Sequence, residues 1–213
     1  LQDLTTRLVF DMTATPLFGV DPGLLSSDMP PMDAAVAMDT VMEVGFFRHV
    51  MLASCWKAMR RLNIDPERKL DEAHKVIRGF FMEMIEKKKI NGGRVCNDGE
   101  QEHVDVLSSY INDPDYADDD LLRAKLLSLM LGGRDTIGTT LPWIFYILAK
   151  NPTIVSIIRN ELSPIASHKV AAGADAMVIF EPEEIKSLVY LRATLYETLR
   201  LYPPAPLEPR RWP

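Results

Sequence analysis

The strongest constraint on the fold is a long apolar run in the middle of the chain. Residues 121–150 predict one buried helix, and that run contains the segment LGGRDTIGTTL at residues 131–141. Gly132 and Gly133 each cost about 1 kcal/mol in a helix interior relative to Ala. Pro142 in the same run predicts a kink or a bent second half. The two glycines therefore need a physical reason.

Two interpretations explain this segment. Glycines let another group approach the backbone closely, and a Thr hydroxyl inside a helix can bond the carbonyl four residues back and bend the helix. With the Asp135 carboxyl beside the Thr136 hydroxyl, the bend would open a small polar notch that suits water or a polar diatomic molecule. The other interpretation is a glycine-mediated crossing of two helices with a capped surface Asp. The spacing leaves both open.

Helical signals cover most of the remaining chain, and neither an internal repeat nor a β-rich half is visible. The predicted fold class is therefore mainly α, organised as one domain. Asp118 to Asp120 supply an acidic start for the apolar helix. Other helices are predicted at 4–18, where Pro16 and Gly19 are stop signals, at 31–48 and 65–89, from Pro152, and from Pro182 to a stop at Pro203.

The helix predicted at 31–48 is apolar nearly all the way round. Val36, Met38 and Val41 are among the residues that spread its apolar character over several faces. Burial in a core explains such a pattern, and so does an apolar surface that lines a substrate channel. The sequence favours burial and leaves the second interpretation open.

Composition excludes several classes of function. The net charge is −6 and the basic residues form no single tract, which argues against a nucleic-acid partner. Two cysteines argue against a disulfide scaffold. The four histidines lack the spacing of metal ligands, so a zinc site is not predicted. No stretch of about 18 uncharged apolar residues exists, so nothing is predicted to span a membrane by itself.

A second candidate site is the Glu-x-x-Arg segment near the end of the chain. Glu197 and Arg200 lie at positions i and i+3 of a predicted helix and can form an ion pair. An exposed pair of this kind contributes only about 0.2–1 kcal/mol. In isolation, an ordinary surface pair before a proline-rich loop is the favoured interpretation.

The two segments are more informative together and in this order. Gly-Gly-x-Asp-Thr at 132–136, Glu-x-x-Arg at 197–200 and LYPPAP at 201–206 resemble the cytochrome P-450 superfamily of haem-thiolate monooxygenases. The resemblance extends over residues 1–213. It implies a partial P-450 fold, from the central helices through the Glu-x-x-Arg helix and truncated at both ends. The Gly-Arg-Asp-Thr variant looks like plant enzymes that hydroxylate fatty acids or long alkanes.

The resemblance implies catalytic and cofactor roles for the central segment. Gly132 and Gly133 would let the helix pass close to haem. Asp135 would relay protons, and Thr136 would hold the hydrogen-bond partner of the bound oxygen. The next position, often a second Thr or Ser in the family, is Ile137 here, which removes one hydroxyl.

Structural and substrate-binding roles are implied for other residues. Glu197 and Arg200 would be structural and would pair with an arginine further along the chain. Arg210 would bind a haem propionate, since arginine suits a carboxylate chemically. A long apolar substrate would contact residues of the central helix and of the proline-rich segment, namely Leu127, Met130, Leu131, Ala205, Pro206 and Leu207.

The family binds its iron through a cysteine thiolate in a Phe-x-x-Gly-x-Arg-x-Cys-x-Gly loop after the Glu-x-x-Arg helix. Neither Cys55 nor Cys96 has that pattern, and both precede the central helix. No residue is therefore predicted as a metal ligand, and we expect the 213 residues alone to be inactive. The N-terminal membrane anchor usual in plant members is also not expected in this chain.

For the full-length protein, the resemblance implies a b-type haem, O2, and electrons from NADPH passed on by NADPH–cytochrome P-450 reductase. It also implies a monomer at the cytosolic face of the endoplasmic reticulum membrane, with a long-chain apolar substrate. A different substrate, such as an alkaloid, is possible within the family. Two other hypotheses are a truncated non-catalytic relative and a helical binding module without a cofactor.

Overall fold

The structure is a computed structural model that describes residues 1–92, 105–111, 119–171 and 178–206. These residues are helical and contain no strand, so the mainly α prediction is confirmed for this part of the chain. The helices are α1 (Gln2–Phe18), α2 (Asp33–Val50), α3 (Ala53–Leu62), α4 (Glu67–Gly92), α5 (Val106–Ile111), α6 (Asp119–Lys150), α7 (Pro152–Ala171), α8 (Pro182–Lys186) and α9 (Val189–Leu201).

The described residues form two compact units. The first contains the residues before Thr136, and the second begins at Thr136. The boundary falls inside α6, which is a continuous helix. The single-domain organisation stays a prediction.

The first unit is built around one apolar core. Helix α2 packs along α4, and α1 contacts both α4 and the short α5. The residues that α1 buries include Phe10 and Phe18, and α4 contributes Phe81. The rings of Phe18 and Phe81 lie 5.5 Å apart, so aromatic packing joins α1 to α4. The N-terminal half of α6 adds Leu122, Leu126 and Met130 to the same cluster.

Helix α1 ends where the sequence predicts. Gly19 adopts the left-handed conformation, with φ of 69°, and its N–H donates to the Thr15 carbonyl. A Cβ at this position would also lie 2.7 Å from Asp105 Oδ2. Glycine is therefore required at residue 19 both by the backbone conformation and by the close carboxylate. Pro16 does not stop the helix, which continues to Phe18.

Helix α2 has both buried and exposed apolar residues. Ala35, Met38 and Val44 are buried, which confirms the core interpretation for these residues. Val36 and Phe46 are about three-fifths exposed, at 61% and 59%. The exposed residues leave the interpretation as a channel wall open.

Three parts of the chain differ from the sequence prediction. Helices α3 and α5 were not predicted, and α3 buries none of its residues. The single helix predicted from Pro182 is two helices, α8 and α9, separated at Ser187 and Leu188. The N-terminus of α9 is capped by Glu161 of α7, whose carboxylate accepts the N–H groups of Tyr190 and Leu191 at 2.8 and 2.9 Å.

Helices α6 and α7 confirm the predicted apolar helix and its restart at Pro152. Pro142 lies inside α6, and a kink at that residue stays a prediction. Within the described ranges, no single helix is both long and apolar enough to cross a membrane. Helices α6 and α7 meet those criteria only as a pair, which is bent by 106° at the break between them.

Candidate functional site

The candidate site begins with the two adjacent glycines of α6, which have different surroundings. A Cβ at Gly133 would lie 2.6 Å from Cγ2 of Thr13 on α1. The Thr13 hydroxyl donates to the Val9 carbonyl at 2.7 Å, which holds that side chain in place. A Cβ at Gly132 would meet no atom within 4 Å. Gly133 therefore permits a close helix crossing, whereas Gly132 leaves its side of the helix accessible.

The side of α6 at Gly132 combines open space with apolar surface. Leu129 lies three residues before Gly132 on the same helix and is exposed to 42%. In the second unit, Thr136 and Ile137 are also exposed. A face with no Cβ at one position and apolar residues around it can accept a flat apolar group such as haem.

The described residues offer no ligand set for the iron of such a group. No cluster of three or more His, Cys, Asp or Glu side chains that could hold a metal occurs among them. Cys55 is an exposed free thiol on α3, and Cys96 lies outside the described residues. The fit to haem therefore rests on the apolar face of α6 and not on a metal-binding site.

Arg134, between the glycines and the predicted proton relay, is the most constrained polar residue of this segment. It is only 5% exposed. Its Nη1 donates to the Ala35 carbonyl on α2 at 2.8 Å, and its Nη2 pairs with the Asp39 carboxylate of the same helix. The guanidinium therefore joins α6 to α2.

Asp135 is held by the same arginine. The Arg134 Nε donates to Asp135 Oδ1 at 2.6 Å, and Nη2 lies 2.6 Å from the same oxygen. The Asp135 side chain is 28% exposed. On the next turn, the Thr140 hydroxyl donates to the Thr136 carbonyl at 2.7 Å. A side-chain bond to the carbonyl four residues back is thus present at Thr140.

The Glu197–Arg200 pair is present on α9. Arg200 Nε and Nη2 donate to the two carboxylate oxygens of Glu197 at 2.8 and 2.6 Å. Both side chains are more than half exposed. The Arg200 hydrogen bond lowers the pKa of the Glu197 carboxyl, and Glu197 raises the pKa of Arg200 in return.

The predicted substrate-lining residues have diverse surroundings. Met130 is fully buried in the core of the first unit, and Leu127 and Leu131 are half-buried against that core. Ala205 and Pro206 are exposed. Leu207 lies outside the described residues, as does Arg210, the predicted propionate ligand.

The second unit contains an apolar cavity that the sequence did not reveal. Its volume is about 820 Å³, and α6, α7, α8 and α9 all contribute to its wall. The α6 residues Ile137, Leu141, Phe145 and Leu148 recur three or four positions apart along one side of the helix. The spacing of these four residues is present in the sequence. It does not stand out, because the residues around them are also mostly apolar.

The proline-rich segment after α9 is tied to α6 by aromatic rings. Tyr202 stacks on Trp143 with ring centroids 4.0 Å apart and an interplanar angle of 4°. Trp143 also meets Tyr146 edge-on at 5.7 Å. Both contacts lie within the second unit and fix the chain just after the Glu-x-x-Arg helix.

Comparisons with known proteins agree with the motifs. The family model for cytochrome P450 matches residues 1–213. Cytochrome P450 86B1 of Arabidopsis thaliana is 37% identical over 98% of this chain and 38% of its own length. Noroxomaritidine synthase 2 of Narcissus pseudonarcissus is 32% identical over 98% of the chain and 40% of its own length. Cytochrome P450 94A2 of Vicia sativa is 33% identical over 97% and 38%.

The chain spans about two fifths of the length of these curated relatives. The match covers the α6 segment with its glycines, Asp135 and Thr136, and it also covers the Glu-x-x-Arg helix. From this match over its whole length, the chain belongs to the cytochrome P450 family.

Proposed function

We propose that this chain is part of a haem-thiolate monooxygenase that hydroxylates a long apolar substrate, either a fatty acid or an alkane. The observation that carries the proposal is the open space beside Gly132, three residues before Asp135 on α6, in a chain of this family. The reaction is RH + O2 + NADPH + H⁺ → ROH + H2O + NADP⁺. Bound haem supplies the chemistry that activates O2.

The α6 residues would control the proton that this reaction consumes. Asp135, which is partly exposed, takes a proton from solvent at its carboxylate and passes it towards the Thr136 hydroxyl. Thr136 would hold the hydrogen-bond partner of O2. Gly132 would leave room for haem, whereas the space beside Gly133 is occupied by Thr13 of α1.

Residues near the end of the chain would bind the cofactor or stabilise the fold around it. Arg210 would bind a haem propionate through charge-assisted hydrogen bonds. Glu197 and Arg200 form a structural pair, and their bidentate geometry is suited to accept a further arginine at the carboxylate.

A long apolar substrate is supported by the sequence variant Gly-Arg-Asp-Thr and by apolar surface along the helices. Leu127, Leu131, Ala205, Pro206 and Leu207 would contact the chain of the substrate, and Met130 would support that wall from the core. The relative named noroxomaritidine synthase supports a second candidate, a substrate outside the long-chain class such as an alkaloid. Product analysis decides between the two.

The electrons would come from NADPH through NADPH–cytochrome P-450 reductase. The full-length protein would work as a monomer at the cytosolic face of the endoplasmic reticulum membrane. Both proposals follow from the family and concern the complete protein.

The test uses the complete protein that contains this segment, expressed in microsomes with the reductase. After reduction, carbon monoxide should produce the absorption band of thiolate-ligated haem. Fatty acids and alkanes of graded length should then give hydroxylated products that depend on NADPH. A complete protein without that band would refute the enzyme assignment and favour the non-catalytic relative. Products from an alkaloid but from no long-chain compound would refute the substrate.

A further inference from the structure

The Arg134 guanidinium is shared among three acceptors on two helices. The Ala35 carbonyl and the Asp39 carboxylate lie on α2, and the Asp135 carboxylate lies on α6. The exposure is graded along this chain of contacts. The Arg134 side chain is 6% exposed, whereas those of Asp135 and Asp39 are 28% and 67% exposed. The buried centre of the network is therefore the arginine.

The contact between Arg134 and Asp135 is unusual for helix neighbours. Adjacent residues on a helix point in different directions and do not normally face each other. Here the Asp135 carboxylate turns back so that one oxygen meets both Nε and Nη2 of Arg134 at 2.6 Å. The arginine therefore determines the direction of the carboxyl group that is proposed to carry the proton.

The anchor for this arrangement lies on α2. The Ala35 carbonyl and Asp39 take the two terminal nitrogens of Arg134, so the fork cannot rotate without breaking one of these bonds. Lysine cannot replace this arrangement, since a single ammonium lacks the planar fork that reaches three acceptors at once.

We propose that Arg134 is a positioning residue that holds the Asp135 carboxyl in place, and that α2 fixes Arg134 through Asp39 and the Ala35 carbonyl. The proposal rests on the proposed function of Asp135 as a proton relay. As a consequence, the packing of α2 on α6 determines the orientation of the Asp135 carboxyl, although no residue of α2 transfers the proton.

A double-mutant cycle in the complete protein tests this role. The variants are Arg134→Lys, Asp135→Asn and the double variant, with Arg123→Lys as the matched control. Arg123 lies on the same helix and pairs with the exposed Asp120. The measured quantity is the ratio of hydroxylated product to hydrogen peroxide per NADPH consumed, corrected for haem content by the carbon monoxide band.

The expected ratio falls about tenfold or more in Asp135→Asn, because a positioned proton donor typically contributes about 10²–10⁴-fold. Arg134→Lys should lower the ratio in the same direction, and the double variant should be no worse than Asp135→Asn alone. Asp39→Asn should give a smaller decrease, and Arg123→Lys none. A merely structural arginine would lower haem content or stability but leave this ratio unchanged.

Two results would overturn the proposal. One is an unchanged ratio in Arg134→Lys. The other is a double variant in which the two losses multiply, because residues that act independently have additive free energies.

A second readout does not need the enzyme to be active. Thermal unfolding midpoints of the wild type, Arg134→Lys, Asp135→Asn and the double variant form a second cycle. In this cycle the double variant should lose less stability than the sum of the two single losses. Additive losses would show that Arg134 does not hold Asp135. A wild-type protein without the thiolate band would refute the proposed function, while this unfolding cycle would still decide whether Arg134 holds Asp135.

Discussion

Two arginine–carboxylate pairs in this chain have the same chemistry and opposite surroundings. Arg134 and Asp135 are neighbours in sequence, and the arginine is buried and shared with α2. Glu197 and Arg200 are three residues apart and form two parallel hydrogen bonds at the surface. The exposed pair has the better local geometry. Burial nevertheless makes the first pair more consequential, because a buried guanidinium without partners cannot regain them from water.

The largest expected effect is the loss of the buried arginine. Arg134→Met should lower the free energy of unfolding by about 2–3 kcal/mol, since it removes charge-assisted hydrogen bonds to three acceptors. Urea unfolding of the complete protein measures this change, with Arg200→Met as the matched variant in the exposed pair. Equal losses in the two variants would contradict the distinction between the pairs.

The glycines beside Arg134 should differ from each other. Gly133→Ala places a Cβ 2.6 Å from Thr13 Cγ2, and overpacking of this kind costs about 1–3 kcal/mol. Gly132→Ala meets no atom within 4 Å and should stabilise the helix by up to about 1 kcal/mol. Unfolding midpoints measure both changes, and Thr13→Ala should restore part of the loss in Gly133→Ala. Similar effects of the two substitutions would show that the helix crossing does not require Gly133.

Substitution of Gly132 also distinguishes an effect on stability from an effect on cofactor binding. If Gly132 provides clearance for haem, Gly132→Ala should reduce the haem content of the complete protein, while the unfolding midpoint of its haem-free form stays unchanged or rises. Spectroscopic titration with haem measures this. An undiminished haem content would remove Gly132 from the proposed site.

The smallest effect on stability is expected at the exposed pair. The Arg200 hydrogen bond lowers the pKa of Glu197 in the folded protein, so the contribution of this pair is present above the unfolded pKa of the carboxyl. It is lost as the pH falls through the lower, folded pKa. The difference in unfolding midpoint between the wild type and Glu197→Gln should therefore be smallest in acid, at a pH below the ordinary pKa range of glutamate. A constant difference between the two proteins over the acidic range would contradict this titration.

Local signals predicted most of the helix ends correctly. Gly19 and Pro152 mark helix boundaries through backbone properties that belong to those residues alone. Helix α3 was not predicted, and it buries none of its residues. The break before α9 was missed because its capping group is Glu161, on a different helix.

The candidate site shows the same division. The sequence by itself determined the mainly α class, the family motifs and the adjacency of Asp135 and Thr136, because these depend on residue order and helix periodicity. Only the tertiary structure decided that Gly133 serves a helix crossing and that Gly132 remains accessible. It also identified Asp39, 95 residues from Arg134, as the partner of the buried arginine. Contacts between residues so far apart depend on how the helices pack, and no local pattern encodes them.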